Sequence, residues 1–130
     1  RTRTKRSVIG ILAQRLVRRL DPTSSEPYAA SPEVVEQFGL RRFTDANPIM
    51  LYRPMPSANT PTGYLGRTTI MEFLVMSDNL RRLIMQHADM GVIEQTARDE
   101  GMRTMYEDGL VKALQGVTTI EEVLRVTQEG

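Results

Sequence analysis

Residues 68–76 read TTIMEFLVM and carry the clearest structural signal in this chain. β-Branched and apolar side chains fill the segment, and Glu72 is its only charge. Such a composition is typical of a strand that the rest of the fold covers. Most of the remaining sequence has helical spacing. The chain is therefore expected to be an α+β protein, mostly helical, with a short β element at this point.

The segment at the start of the chain predicts a helix. Val8, Leu12 and Leu16 recur every four residues, which favours a helix over residues 8–20 with one apolar face. Pro22 disfavours helical geometry at the residue before it and is expected to end this helix.

Residues 21–66 are predicted to form a turn-rich excursion. A short helix is expected between Ser31, an N-cap residue, and Gly39, which suits the position after a helix end. Prolines and glycines are frequent beyond it, so irregular chain with one short strand over residues 51–54 is expected. Four aromatic residues are expected to hold the excursion by packing: Tyr28, Phe38, Phe43 and Tyr52.

Four short helices are expected after Ser77, separated by glycines at positions 91, 101, 109 and 116. Thr104 with Glu107, and Thr119 with Glu122, have the capping-box spacing, so both threonines are predicted to start helices. Four methionines of this region are interpreted as fillers of a core rather than as a partner groove. They are Met85, Met90, Met102 and Met105.

The composition limits both the chemistry and the size of the protein. The 130 residues suit one modest domain and contain no cysteine and one histidine. Disulfides, thiol catalysis and cysteine-ligated zinc are therefore excluded, and a histidine-built metal site is disfavoured. No apolar run approaches the roughly 20 residues that span a bilayer, and no signal peptide is recognisable. A cytoplasmic location without direct membrane insertion is expected.

Charge is unevenly distributed, because residues 1–20 contain seven basic and no acidic residues. Such a segment can bind nucleic acid, but no aromatic residue is interleaved for base stacking. The favoured interpretation is a solvated basic tail at residues 1–6, with a tag or linker origin left open. Residues 7–130 are expected to form a single unit, and no nucleic-acid partner is expected.

Motifs of independent catalysis are absent from the sequence. It contains neither a G-x-x-x-x-G-K-[ST] phosphate loop nor a G-x-S-x-G nucleophile elbow. The adjacent carboxylates at 99–100 and 121–122 are predicted to diverge into solvent. No catalytic residue is predicted, and the residues by themselves indicate a small domain without activity of its own.

Four segments nevertheless occur in a diagnostic order. They are SVIGILAQRLVR at 7–18, TGYLGR at 62–67, GMRT and DGL within 101–110, and GVTTIEEVLRV at 116–126. Together they resemble the C-terminal part of the ATPases of type II secretion and type IV pilus assembly. The resemblance implies the C-terminal subdomain of a RecA-like secretion ATPase, with residues 21–66 equivalent to the family's zinc-binding insertion.

The resemblance also implies a parent protein. That parent is a hexameric cytoplasmic ATPase that uses ATP and Mg²⁺, docks on inner-membrane platform proteins and drives pseudopilus assembly for protein export. The phosphate loop of the family lies upstream of Ser7, so this chain is not expected to hydrolyse ATP alone. Packing on the rest of the ATPase, hexamer assembly or coupling between subunits is its implied role. A type IV pilus assembly ATPase and a stand-alone adaptor without motor activity are the alternatives.

The TGYLGR segment has a physical interpretation. Gly63 and Gly66 allow a turn that a side chain would obstruct, and the turn presents Arg67 to a carboxylate or a phosphate. A structural pairing of Arg67 with Glu72 is the favoured expectation. Three residues are candidates for proximity to a nucleotide bound by the parent: Gln14, Arg15 and Arg67.

The chain departs from the family at its metal site. Many members have two C-x-x-C pairs, and these positions correspond here to Asp21, Ser24, Pro56 and Asn59. Proline offers no side-chain ligand, and the remaining oxygen ligands suit zinc poorly. No zinc and no other resident cofactor are therefore expected in this chain.

Overall fold

Two long antiparallel strands form a ribbon on which the rest of the fold is built. Strand β1 covers Val8–Leu20 and strand β4 covers Tyr64–Met76. They pair from Val8 opposite Met76 to Leu20 opposite Tyr64. The computed structural model describes residues 8–128, so the predicted tail at residues 1–6 lies outside the described residues.

The predicted helix over residues 8–20 is wrong, and the predicted short β element is too short. Both strands of the ribbon are 13 residues long. The pairing register shifts between Ile11 and Ala13. An extra residue of this kind moves every later side chain to the other face, which hides the period of two that marks a strand. Apolar residues then recur every four positions, which is the spacing typical of a helix.

The excursion between the two strands contains its own small sheet and a helix. Strand β2, Glu26–Ala29, pairs antiparallel with strand β3, Met50–Arg53. Helix α1 covers Pro32–Phe38, and a short 3-10 helix follows at Leu40–Arg42. The predicted short helix and the predicted strand near residues 51–54 are confirmed, whereas β2 was not expected.

Local capping explains why the α1 prediction succeeded. The Ser31 hydroxyl accepts a hydrogen bond from the Val34 amide at 3.2 Å, and Gly39 has a φ of +62° at the helix end. Both residues directly flank the helix, so its two ends can be predicted without knowing any distant partner.

Four helices follow the ribbon within the described residues, the number predicted. They are α2 Asp78–Met85, α3 Met90–Asp99, α4 Met105–Leu114 and α5 Ile120–Thr127. Gly101 and Gly116 lie between helices as expected, but the predicted breaks at Gly91 and Gly109 are wrong because both glycines lie inside helices.

Thr104 and Glu107 form a reciprocal capping box at the start of α4. Thr119 caps α5 through the Glu122 amide at 3.2 Å, but the Glu122 carboxylate does not complete a box because it binds Arg18 instead.

Helices α4 and α5 join two groups of buried side chains. The excursion core consists of Leu40, Ile49, Leu51, Leu110, Ala113 and Ile120. The ribbon core consists of Val17, Ile70 and Val123. The Tyr106 side chain packs against both cores, so the excursion and the ribbon rest on the same pair of helices.

The aromatic packing predicted for the excursion is observed for three residues. Tyr28, Phe38 and Phe43 pack against the excursion core. The ring of Tyr52 instead lies so close to Gly116 that a Cβ there would approach the ring to 3.2 Å.

The core-filling interpretation of the methionines is wrong for two of them. Met85 is 73% exposed and Met90 is 68% exposed, since α2 and α3 turn these side chains outward. Met105 does pack against the ribbon core, as interpreted. Among residues 8–128, no helix is both long and apolar enough to cross a membrane.

Candidate functional site

The ribbon places the three nucleotide candidates on different faces. Gln14 lies opposite Met71 and Arg18 lies opposite Arg67, so Gln14 and Arg67 share one face, about 13 Å apart along the strands. Arg15 belongs to the other face, where its guanidinium donates a hydrogen bond to the Val126 carbonyl at 2.6 Å. The three residues therefore do not converge on one point.

The face that carries Gln14 and Arg67 is open to solvent. We call the set Gln14, Leu16, Arg67 and Thr69 the open ribbon face. The Leu16 side chain is 49% exposed, and Gln14 and Arg67 are exposed as well. A surface cavity of about 580 Å³ reaches from this face to the opposite one, since it is lined by Gln14, Leu16 and Thr69 and also by Arg15 and by Val126 of α5. The opposite face is different, since Val17 and Ile70 are fully buried against Val123 of α5.

The expected pairing of Arg67 with Glu72 is not formed. The two residues are five positions apart on one strand, so their side chains point to opposite faces. The separation along β4 is about 17 Å. Arg67 is exposed, which leaves its guanidinium accessible to a group outside residues 8–128.

The TGYLGR turn depends on its glycines. Gly63 has a φ of +87°, and a Cβ there would lie 2.5 Å from the Met55 nitrogen, so no other residue fits this backbone. Gly66 also has a positive φ, +77°. The turn positions Tyr64, whose hydroxyl lies 2.9 Å from the Thr119 hydroxyl.

Glu122 is the centre of an ion cluster formed by Arg18, Tyr64, Glu122 and Arg125. Its carboxylate accepts hydrogen bonds from the Arg18 amide at 2.7 Å, the Arg18 guanidinium at 3.0 Å and the Arg125 guanidinium at 2.8 Å. Arg18 also stacks on the Tyr64 ring, 4.1 Å from its centroid. The Glu122 cluster thus joins β1, the start of β4 and helix α5.

The pKa of Glu122 reflects two opposing effects. Burial raises it, since the residue is 2% exposed, but the hydrogen bonds from Arg125 and Arg18 outweigh burial and hold the pKa at about 2. The expectation of a solvated Glu122 is therefore wrong. The sequence signal was present in the T-x-x-E spacing, but it identified only the cap, because Arg18 lies 104 residues away.

Asp108, from the GMRT and DGL motif region, lies against the outer edge of β4 and binds backbone groups there. The buried carboxylate accepts hydrogen bonds from the Met71 amide at 3.0 Å and the Lys112 ammonium at 2.9 Å, and it pairs with Arg103 at 3.3 Å. Lys112 also donates to the Thr69 carbonyl at 2.8 Å. These contacts satisfy strand groups that are otherwise ready to pair with another chain.

Asp21 is the centre of a further polar group at the base of the excursion. We call Asp21, Thr23, Ser57 and Asn59 the Asp21 clamp. The fully buried carboxylate accepts hydrogen bonds from the Thr23 amide at 2.9 Å, the Thr23 hydroxyl at 2.7 Å and the Ser57 hydroxyl at 2.8 Å. Hydrogen bonds from Thr23 are the main cause that lowers the Asp21 pKa to about 2.

Comparison with known proteins identifies the family of this chain. The family described as type II/IV secretion system protein has a model that matches residues 2–125. This chain belongs to the type II/IV secretion system protein family. Its four family motifs contribute residues to the polar clusters described above: Arg18 from the first, Tyr64 from the second, Asp108 from the third and Glu122 from the fourth.

Individual relatives of this secretion family differ in their degree of similarity. The chain is 66% identical over 124 residues to the type II secretion system protein E of Xanthomonas campestris pv. campestris. It is 42% identical over 126 residues to the type II secretion system ATPase E of Vibrio cholerae. It is 41% identical over 124 residues to the type IV pilus assembly ATPase PilB of Thermus thermophilus.

These alignments cover a small part of each relative. Each includes 95% of this chain, but only 22% of the Xanthomonas protein, 24% of the Vibrio protein and 14% of the Thermus protein. The chain therefore spans about a quarter or less of the length of the relatives that it matches.

Proposed function

We propose that this chain is the C-terminal part of an ATPase that powers type II protein secretion, and that it serves in packing and subunit coupling rather than in ATP hydrolysis. The identity of 66% to a type II secretion system protein E carries the proposal. The identity to the type IV pilus assembly ATPase of Thermus thermophilus is 41% over the same number of residues. A pilus assembly ATPase and a stand-alone adaptor are the alternative functions.

The open ribbon face supports the packing role. An exposed leucine beside an apolar-lined cavity is a surface that a protein partner can cover. The proposed occupant is the rest of the ATPase chain, which in the relatives accounts for the larger part of the polypeptide. In this arrangement the chain is a subdomain on a RecA-like core, and Arg67 faces that core or a neighbouring subunit of a hexamer.

The proposed parent would supply what the chain itself lacks. ATP and Mg²⁺ would bind to the remaining part of the polypeptide, because the phosphate-loop motif does not occur in these 130 residues. Docking on platform proteins would hold the ATPase at the cytoplasmic side of the inner membrane. The Glu122 cluster would keep the subdomain rigid enough to transmit movements between subunits.

A chimera tests the assignment to type II secretion. The matched segment of the Xanthomonas relative is replaced by this chain, and export of a secreted protein is measured. Restored export is expected, whereas the corresponding Thermus segment should restore less. Equal export from both chimeras would remove the preference for type II secretion. No export despite normal chimera levels would favour the adaptor alternative.

A surface substitution tests the packing role. Leu16→Glu in the intact protein places a charge on the open ribbon face, and a loss of at least tenfold in ATP hydrolysis or in assembly is expected. Val92→Glu on α3 is the matched control, since Val92 is also 49% exposed. Unchanged hydrolysis and assembly in Leu16→Glu would contradict a role for this face.

A further inference from the structure

The metal site that the family resemblance implies does not fit this chain. Of the four corresponding positions, Pro56 has no side-chain ligand. Ser24 uses its hydroxyl to donate a hydrogen bond to the Met55 carbonyl at 2.8 Å. The Asp21 carboxylate is already engaged by Thr23 and Ser57. A single buried carboxylate surrounded by donors is a poor zinc ligand set.

Two of these positions, Asp21 and Asn59, nevertheless come together in space, and the neighbouring Ser57 joins them. Asp21 directly follows β1, while Ser57 and Asn59 precede the turn into β4. Ser57 donates to Asp21 at 2.8 Å, and Asn59 Nδ2 lies 3.4 Å from the same carboxylate oxygen. The backbone reinforces the contact, because the Asp21 amide donates to the Gly63 carbonyl at 2.9 Å.

We propose that the Asp21 clamp closes the base of the excursion without a metal ion, in the place where the family resemblance implies a four-cysteine zinc site. The clamp links residues 36 positions apart in sequence. Closing a segment of this length costs conformational entropy, and a buried carboxylate binds its donors firmly because losing one leaves an unsatisfied charge. The clamp therefore does for this excursion what a metal cross-link does elsewhere.

Hydrogen exchange in the intact protein tests the clamp. Asp21→Ala is expected to speed exchange at least tenfold for two amides: that of Thr23, which donates to the Asp21 carboxylate, and that of Thr60, which donates to the Ser57 backbone carbonyl. The Val123 amide in α5 should keep its rate. Asp45→Asn is the matched control, because Asp45 is an exposed carboxylate of the same excursion. Unchanged exchange at Thr23 and Thr60 would overturn the proposal.

A milder variant and a metal arm complete the experiment. If Asp21→Ala fails to fold, Ser57→Ala replaces it, since this variant removes a single donor to the Asp21 carboxylate. Faster exchange of the Thr60 amide would support the clamp, and an unchanged rate would contradict it. In the unaltered protein, a chelator followed by added Zn²⁺ should leave exchange at Thr23 and Thr60 unchanged. Faster exchange with chelator that Zn²⁺ reverses would show a metal-dependent base instead.

Discussion

Glu122 is a buried carboxylate whose charge is compensated by two arginines, and its effect on stability depends on pH. Its pKa is lowered from 4.5 to about 2 in the folded state. A lowered folded-state pKa stabilises the fold fully above about pH 4.5 and loses this contribution as pH falls towards about 2. At neutral pH, Glu122→Gln is expected to lower the free energy of unfolding by about 3 kcal/mol, because a neutral amide loses the charge-assisted hydrogen bonds that lower the pKa of the carboxylate.

The pH dependence separates this effect from a general loss of packing. The difference in unfolding free energy between the wild type and Glu122→Gln should shrink steadily between pH 5 and pH 2, as measured by urea denaturation. Glu121→Gln is the neighbouring control, since that side chain is exposed, and it should change stability by less than about 0.5 kcal/mol. A difference for Glu122→Gln that stays constant with pH would contradict the ionic role.

At the scale of elements, the contact between α4 and α5 depends on a glycine inside a helix. A Cβ at Gly109 would lie 2.5 Å from Cγ1 of Val123, so a side chain there would force the helices apart. Gly109→Ala is therefore expected to destabilise the protein by about 2 kcal/mol, although alanine is the better helix former. The measurement is the thermal or urea unfolding midpoint.

A second helical glycine provides the control for this prediction. A Cβ at Gly91 in α3 would meet no atom within 4 Å beyond its chain neighbours and the backbone of its own helix. Gly91→Ala should thus follow helix propensity alone and stabilise by up to about 0.8 kcal/mol. If both substitutions shifted stability in the same direction, close packing of α4 on α5 would not be the cause.

The elements also show which features a sequence can predict. Ser31 and Gly39 mark the two ends of helix α1, and Thr104 with Glu107 marks the start of α4; both predictions need only residues that are close in sequence. Strand β1 depends on pairing with β4 residues that lie 44 to 68 positions away, and its register shift hides the alternating pattern. For the same reason the sequence predicts the candidate site only in part. The contact of Glu122 with Arg18 and the separation of Gln14, Arg15 and Arg67 both depend on residues that are distant in sequence.

At the scale of the whole molecule, the excursion and the ribbon are expected to unfold together. Both cores use α4 and α5, with Leu110 and Ile120 in the excursion core and Val123 in the ribbon core. Loss of either core therefore removes the surface on which the other rests. Far-ultraviolet circular dichroism and the near-ultraviolet signal of the four tyrosines should give the same midpoint, as in a two-state transition.

A truncation of the fully buried Leu110 makes this cooperativity testable. Leu110→Ala should lower the free energy of unfolding by about 3 kcal/mol through the cavity that it leaves, and both signals should shift by the same amount because the excursion cannot melt separately. Val92→Ala, at a half-exposed surface position, should shift neither signal by more than about 0.5 kcal/mol. Two of the four tyrosines, Tyr28 and Tyr52, lie in the excursion between β1 and β4, so an early partial change in the tyrosine signal alone would mean that the excursion is an independent unit held only at its base by the Asp21 clamp.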